Sequence, residues 1–183
     1  VDLTFSVLES LRRNSPECRF LFLSSAAVYG NPGKLPVTEE DAVQPLSPYG
    51  FHKHLSEEIC REFSTVYGLS TASLRIFSAY GAGLRRQVVW DICRKVLCEQ
   101  QVSLFGTGDE SRDFVHARDV AQAARCVLEK APMQGERYNV GTGREETISH
   151  LAQTIMTRAD VGGPPIFTGE VQQGVPCRWQ ADT

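Results

Sequence analysis

"RFLFLSS", residues 19–25, is a short unbroken apolar run that closes on two serines. Continuous rather than alternating hydrophobicity, with the turn-forming "NSPE" (14–17) just ahead of it, is the pattern of a parallel strand buried on both faces. The residues upstream of that turn decide how the strand is used. Leu3, Val7, Leu8 and Leu11 recur at the spacing of one helical face, so residues 3–13 read as an amphipathic helix. A helix feeding a buried strand is the signature of an α/β chain.

Working outward, a proline-dotted loop (31–48) leads to a second helical pattern, Tyr49 to about Tyr67, with Leu55, Ile59, Phe63 and Val66 as its apolar stripe. "STASLRIFS" (70–78) repeats the buried-strand signal. "QVVWDICRKVLCEQ" (87–100) predicts a helix, "VSLF" (102–105) a short strand and "GTGDESRD" (106–113) a turn. Asp119 is a candidate N-cap for a helix over 120–131. "ERYNVGTG" (136–143) reads as a strand ending in a glycine turn. Thr147 opens a last helix through "ISHLAQTIM", and "PPIFTG" (164–169) reads as a final strand. Alternating strands and helices predict a mostly parallel sheet covered on both faces. Beyond about Gly81 the elements are shorter and less regular, as in a smaller C-terminal lobe.

Composition narrows what these elements can do. A chain of 183 residues, 42% of them hydrophobic, suffices for one domain with a core of its own. The formal charge of −3 comes without a sustained run of either sign, which argues against nucleic acid as a partner. The six cysteines (Cys18, Cys60, Cys93, Cys98, Cys126 and Cys177) form no C-x-x-C pair, so no metal site is expected and reduced thiols in a cytoplasmic protein are. No apolar run approaches the roughly 20 residues that span a bilayer, and no leader is recognisable, so a soluble protein without membrane partners is expected.

Two features carry chemistry. In "SPYGFHK" (47–53), Tyr49 and Lys53 sit four positions apart, about 40° from each other on a helical wheel. The predicted stripe is centred roughly 80° to one side, which puts the pair at the rim of the buried face. A tyrosine phenol has a reference pKa of about 10. Bringing a phenol to about 7, where it can act as a general base, requires about 4 kcal/mol in favour of the phenolate. An ammonium about 4.5 Å away supplies about 3.7 kcal/mol at an effective dielectric near 20. The second feature is "LFLSSAAVYG" (21–30). Serines at the carboxyl end of a buried parallel strand project into the crevice where open α/β sheets bind ligands, and a hydroxyl there can hold the oxygen of an alcohol that loses its proton.

In order and approximate spacing, "SSAAVYG", "SPYGFHK", "LRIFSAYGAG", "FGTGDESRDFVHARD" and "YNVGTG" resemble the extended short-chain dehydrogenase/reductase family of NAD-dependent nucleotide-sugar epimerases and dehydratases. The likeness runs from Val1 to about Asp182. It implies a partial doubly wound, Rossmann-like parallel sheet, with residues 1–80 the C-terminal part of a dinucleotide-binding domain. Residues 81–183 become a substrate-binding lobe interleaved with the last Rossmann elements. It also implies NAD as cofactor, a nucleotide sugar as substrate and a homodimer formed through the Tyr49 helix. Ser25 matches the catalytic Ser/Thr, Tyr49 the general base, and Lys53 the residue that binds the nicotinamide ribose and acidifies the phenol. Ser24 and Phe77 fall on the cofactor side. Ser25, Ser78, Phe105 and Arg112 fall on the substrate side, Arg112 toward the diphosphate; a structural contact of Arg112 with Asp113 or Asp119 is equally open, as is a core role for Phe105. The 4,6-dehydratases carry Thr-Asp-Glu where this chain has Ser25, Ala26 and Ala27, and related decarboxylases carry a glutamate at Ala27. A 4-epimerase-like site is the best fit, with a ketoreductase next.

The chain departs from that pattern in three places. The glycine-rich G-x-x-G-x-x-G turn that cradles the pyrophosphate has no counterpart: Gly81/Gly83, Gly106/Gly108 and Gly141/Gly143 each make only G-x-G. Ser78 stands where an asparagine is common, and "VQQGVPCRW" (171–179) lacks the arginine that usually precedes Pro-Gly-Asp. An N-terminally shortened epimerase is therefore expected. The alternative is a non-catalytic relative that binds or dimerises.

Overall fold

The computed structural model describes residues 1–99, 101–170, 174 and 176–183. Helix α1 (Asp2–Asn14) leads into strand β1 (Phe20–Ser25), and a single 3-10 turn (Ala26–Val28) closes over the end of that strand. Ser25 begins the turn, its Oγ accepting the Ala27 amide at 3.2 Å. Helix α2 (Pro48–Tyr67) starts where the sequence provides an N-cap and a proline together: Ser47 Oγ accepts from the Gly50 amide, and Pro48 occupies the first turn. It stops at Gly68, whose φ of 71° is the left-handed conformation that a C-terminal cap requires.

Strand β2 (Thr71–Ile76) pairs in parallel with β1, and strand β7 (Gln134–Val140) pairs in parallel with β2, giving the order β1-β2-β7. Helix α4 (Ala117–Lys130) covers one face of this sheet, with Val120, Ala123 and Val127 packed around Leu74, Val115 and Val140. The other face belongs to α1 and α2, whose Leu8, Cys60 and Phe63 close over Phe20 and Phe22. A parallel sheet with helices on both faces is the doubly wound arrangement that the unbroken apolar runs predict. The remaining elements are short: β3 (Ser78–Tyr80) pairs with β6 (Phe114–His116), β4 (Ser103–Leu104) with β9 (Ile166–Phe167), and β5 (Ser111–Arg112) with β8 (Glu146–Thr147). Together with α3 (Gln87–Cys98) and α5 (Ile148–Arg158) they enclose a second core of Ile92, Val102, Leu104, Ala152 and Met156.

Three expectations are corrected. Leu55 and Val66, assigned to the buried stripe of α2, are 49% and 64% exposed; the buried positions are Gly50, Ser56, Glu57, Cys60 and Phe63. The inward face therefore includes polar residues, which hydrophobic periodicity alone passes over. Its consequence is that Tyr49 and Lys53 lie on the inward face itself, in line with Cys60 and Glu57, and not at its rim. The N-cap of α4 is His116, whose ring Nδ1 accepts the Arg118 amide, and Asp119 sits instead within the first turn. The third helix ends at Cys98, and of its predicted extent Gln100 lies outside the described residues. Among the described residues no helix is long and apolar enough to cross a membrane.

The two faces of α2 differ in what truncation should cost. Phe63→Ala is expected to lower stability by about 3–5 kcal/mol, whereas Val66→Ala in dilute solution should stay within about 0.5 kcal/mol. Urea midpoints at constant m-value distinguish them.

Candidate active site

The carboxyl end of the sheet meets the second core across a cavity of about 1040 Å³. Ser25, Ala27, Tyr49, Phe77 and Ser78 line its sheet side, and Val88, Phe105, Arg112 and Arg178 line the lobe side. Six of the eight residues singled out in the sequence thus share one cleft.

Each side chain is placed by its element. Ser25 is the last residue of β1, and because its oxygen already accepts the Ala27 amide, its own hydrogen is free to donate into the cleft. Tyr49 stands in the first turn of α2, beyond the end of the sheet, which leaves it 57% exposed although it lies on the helix's inward side. That approach depends on Gly50: a Cβ there would come 2.5 Å from the Ala27 carbonyl oxygen and 2.9 Å from Pro45 Cβ. One turn further on, Lys53 Nζ donates to the Leu23 carbonyl at 2.6 Å and lies 5.6 Å from the centre of the Tyr49 ring and 4.9 Å from that of Phe22. Burial pulls the Lys53 pKa below its ordinary value, and the Glu57 carboxylate acts in the opposite direction.

Lys53 and Ser24 do not line the cleft. Ser24 is buried, and its hydroxyl donates to Glu57 Oε1 at 2.5 Å, so the hydroxyl expected on the cofactor side is turned into the protein. Adjacent strand residues point to opposite faces, which is why Ser24 and Ser25 cannot both look into the crevice.

Phe77 is buried against Tyr29 and Trp179, with ring centres 6.4 and 6.3 Å away. Trp179 donates its indole N–H to the Gly30 carbonyl at 3.0 Å and lies beneath Arg112, whose guanidinium carbon is 5.3 Å from the ring centre. Arg112 makes the structural contact neither with Asp113 nor with Asp119. Its Nη1 donates to the carbonyls of Ser111 and Cys177, and Asp113 instead accepts from the Thr142, Gly143 and Ala181 amides and the Thr142 hydroxyl. Burial pulls the Arg112 pKa down, with Glu110 and Cys177 opposing it. A guanidinium held on carbonyls and one aromatic face is suited to an anion entering the cleft. Phe105 is half exposed at the mouth, which decides against a core role.

Sequence reasoning missed the polar cluster behind the cleft. Arg75, almost fully buried on the central strand, donates to both oxygens of the equally buried Glu57 at 2.8–3.3 Å and to the Tyr29 hydroxyl at 2.9 Å. Tyr29 in turn donates to Asn139 Oδ1 at 2.7 Å, and burial raises its pKa, partly offset by Arg75. A lone arginine inside "STASLRIFS" was the available signal, since a charge within a buried strand demands a partner. Of "VQQGVPCRW", residues 171–173 and 175 lie outside the described residues. Among the described residues no group of three or more His, Cys, Asp or Glu could hold a metal ion.

The α/β fold ends its first strand in a serine and carries a tyrosine and a lysine on the adjoining helix, and comparison gives the family. Residues 1–141 match the NAD dependent epimerase/dehydratase family, and the chain belongs to it. A putative UDP-glucose 4-epimerase of Methanocaldococcus jannaschii is 34% identical over 171 residues, 90% of this chain and 54% of the relative. The UDP-glucose epimerase YtcB of Bacillus subtilis, itself uncharacterized, is 31% identical over 151 residues, 81% of this chain and 47% of the relative. Among solved structures, a UDP-glucuronic acid 4-epimerase of Bacillus cereus, in complex with UDP-glucuronic acid and NAD, superimposes with a TM-score of 0.90 at 25% identity, covering 100% of this chain and 58% of that one. A UDP-N-acetylglucosamine 4-epimerase of Methanobrevibacter ruminantium gives 0.88 at 25% identity, covering 100% and 59%. The chain thus spans about half the length of the curated relatives it matches.

The contact at Gly50 is open to direct test. Gly50→Ala should destabilise the protein by about 1–3 kcal/mol despite alanine's better helix propensity. Gly33→Ala, where an added Cβ meets nothing within 4 Å, should change stability by less than about 0.5 kcal/mol.

Proposed function

We propose that this polypeptide forms the catalytic end and the sugar-nucleotide lobe of an NAD-dependent nucleotide-sugar 4-epimerase. The observation that carries the reading is the convergence of Ser25, Tyr49, Phe77 and Arg112 on one cleft in which Ala27 stands where a dehydratase would present a carboxylate. Asp91 is held by Lys95 and Arg94, and Glu110 by the amides of Thr107 and Gly108. Two of the three acids that border the cleft are therefore already engaged; the third, Asp109, stands on the lobe side.

The residues fit the nicotinamide end of the cofactor: Tyr49 and Lys53 toward its ribose, and Phe77 at the side of the ring. No glycine-rich turn able to cradle the pyrophosphate is present in these 183 residues. Bound NAD would supply an acceptor for hydride that can also return it. Ser25 donates to the oxygen of the reacting hydroxyl and fixes its position. Tyr49, one helical turn from Lys53, removes that proton and later gives it back. Between these steps the sugar must turn over while its diphosphate stays held. Arg112 and the stacked Trp179 provide a fixed anchor, and the cavity leaves room above the serine.

The reading extends to the assembly and the compartment. Phe5 of α1 and Phe51, Leu55 and Val66 of α2 are exposed, the last three on one side of the helix, and a second copy of the chain is the cover proposed for them. All six cysteines are unpaired and Cys18, Cys98 and Cys177 are exposed, which fits the reducing cytoplasm.

Calorimetric titration of the chain with a UDP-sugar and with NAD tests the core of the reading: heat is expected with the UDP-sugar, and none with either ligand at millimolar concentration would remove it. Arg112→Ala should weaken UDP-sugar binding roughly 10- to 100-fold, the loss of one charge-assisted hydrogen-bonding group. In the whole protein Tyr49→Phe should cut turnover by about 10²–10⁴ with unchanged circular dichroism, and an unaltered rate would dismiss Tyr49 as the base. Sedimentation should give a dimer at micromolar concentration that Leu55→Glu converts to monomer. A parent chain that stays monomeric throughout would rule out the proposed cover.

A further inference from the structure

Tyr49, Lys53 and Glu57 occupy successive turns of one face of α2. Tyr49 lines the cleft, Lys53 lies behind it on the Leu23 carbonyl, and Glu57 is buried with no access to it. Glu57 nonetheless touches all three strands of the β1-β2-β7 sheet. Its carboxylate accepts the Ser24 hydroxyl at 2.5 Å, one residue before Ser25, and the Arg75 guanidinium on the central strand at 2.8–3.3 Å. Arg75 passes the connection on to the Tyr29 hydroxyl at 2.9 Å, one residue after the turn that Ser25 begins. Arg137 Nε on β7 lies 3.4 Å from the same carboxylate.

A buried ion pair of this kind is a poor source of net stability, because the desolvation of both charges offsets their attraction; an apolar pair of the same volume holds a core together as well or better. What an ion pair with three directional donors provides is position. An α-helix can slide by 1.5 Å and rotate by about 100° to the next residue while keeping much of its apolar contact, and such a shift would take Tyr49 away from Ser25. Fixing the carboxylate on Ser24 and Arg75 forbids it. At the other end of the same turns, Gly50 meets the Ala27 carbonyl, so the reactive pair is bracketed between two points of close approach to the strand that carries Ser25.

We propose that Glu57, clamped by Arg75 and Ser24, is a positioning residue for the Ser25–Tyr49–Lys53 group, setting the register of α2 against β1. The proposal rests on the catalytic reading of that group, and its test separates the two. The variant to use is Glu57→Met combined with Arg75→Met, which removes both charges without leaving either one buried alone. Its urea stability should match or exceed the parent. Position is read by ¹⁹F NMR of 3-fluorotyrosine-labelled chain, the Tyr49 signal being identified by its loss in Tyr49→Phe and Tyr80, outside the clamp, serving as the control. The Tyr49 resonance should move or split while that of Tyr80 holds. In the whole protein kcat should fall about 100-fold, as expected for a misplacement near 1 Å, with KM for the sugar nucleotide little changed.

Equal stability with an unmoved Tyr49 signal and unaltered kcat would overturn the proposal and leave the pair a purely structural one. If the double variant fails to fold, Glu57→Asp decides by the same readouts, since it keeps the charge and shortens the tether by one methylene. If the parent protein shows no turnover, the catalytic reading falls, and the fluorine signal still judges whether Glu57 positions the helix.

Discussion

The contact between the carboxylate of Glu57 and the guanidinium of Arg75 is the constraint around which the first half of this chain is arranged. Both groups are removed from water, so each must find its full complement of partners inside the protein. Arg75 meets that demand with Glu57, Tyr29 and the Glu39 carbonyl. Glu57 meets it with Arg75 and Ser24, and Arg137 stands 3.4 Å away. Satisfying two buried charges has drawn a helix, two strands and the loop between them into fixed relation. The apolar contacts of Leu8, Phe63 and Leu74 supply the driving force for collapse. They would be nearly as well satisfied by several neighbouring registers, and the polar cluster selects one.

How much of this was legible in the sequence follows from the kind of signal each feature leaves. The sheet was legible in outline, since β1, β2 and β7 stand where "RFLFLSS", "STASLRIFS" and "ERYNVGTG" place them, but of the three only β2 is buried along its length, and Leu23 of β1, expected to be buried, is 50% exposed. The start of α2 was legible because Ser47 and Pro48 are a cap and a first-turn residue whose geometry is local. The inward face of α2 was not, because Ser56 and Glu57 are buried by partners 52 and 18 residues away in sequence, Thr4 and Arg75. Periodicity weighs only hydrophobicity, and it therefore chose Leu55 and Val66, which face outward. The strands β3, β5, β6 and β8 are two or three residues long, too short to show any period at all.

The site divides in the same way. Ser25 and Tyr49, which share the cleft, were legible as neighbours because their relation is carried by two local facts, a strand end and a helical turn. Ser24 looked equivalent to Ser25 in the sequence, and only the alternation of the strand separates them, one hydroxyl entering the cleft and its neighbour entering the buried cluster. Trp179 gave no local sign, since its meaning comes from Gly30, Phe77 and Arg112, which the chain brings to it from three different elements.

That last convergence explains why the cleft lies where it does. The segment from Cys177 to Asp182 packs Trp179 and Ala181 against Ala26, Val28, Tyr29, Val37 and Phe77, and its backbone is fastened to both the sheet side and the lobe. The Cys177 amide donates to Asn31 Oδ1, the Cys177 carbonyl receives the Ser111 amide, and Val37 exchanges backbone bonds with Gln180 and Asp182. Asp113, fully buried, accepts the Ala181 amide on the same carboxylate that takes the amide of Gly143, at the end of the strand-turn after β7. The segment is a seam sewn with backbone hydrogen bonds between the sheet and the lobe, and it presents Trp179 and Arg178 to the cavity from its inner side. Because the seam is polar and directional, the two cores can keep separate apolar interiors while the gap between them stays at a fixed width. Its aromatic floor and its guanidinium are both tied to the backbone, Trp179 to the Gly30 carbonyl and Arg112 to those of Ser111 and Cys177.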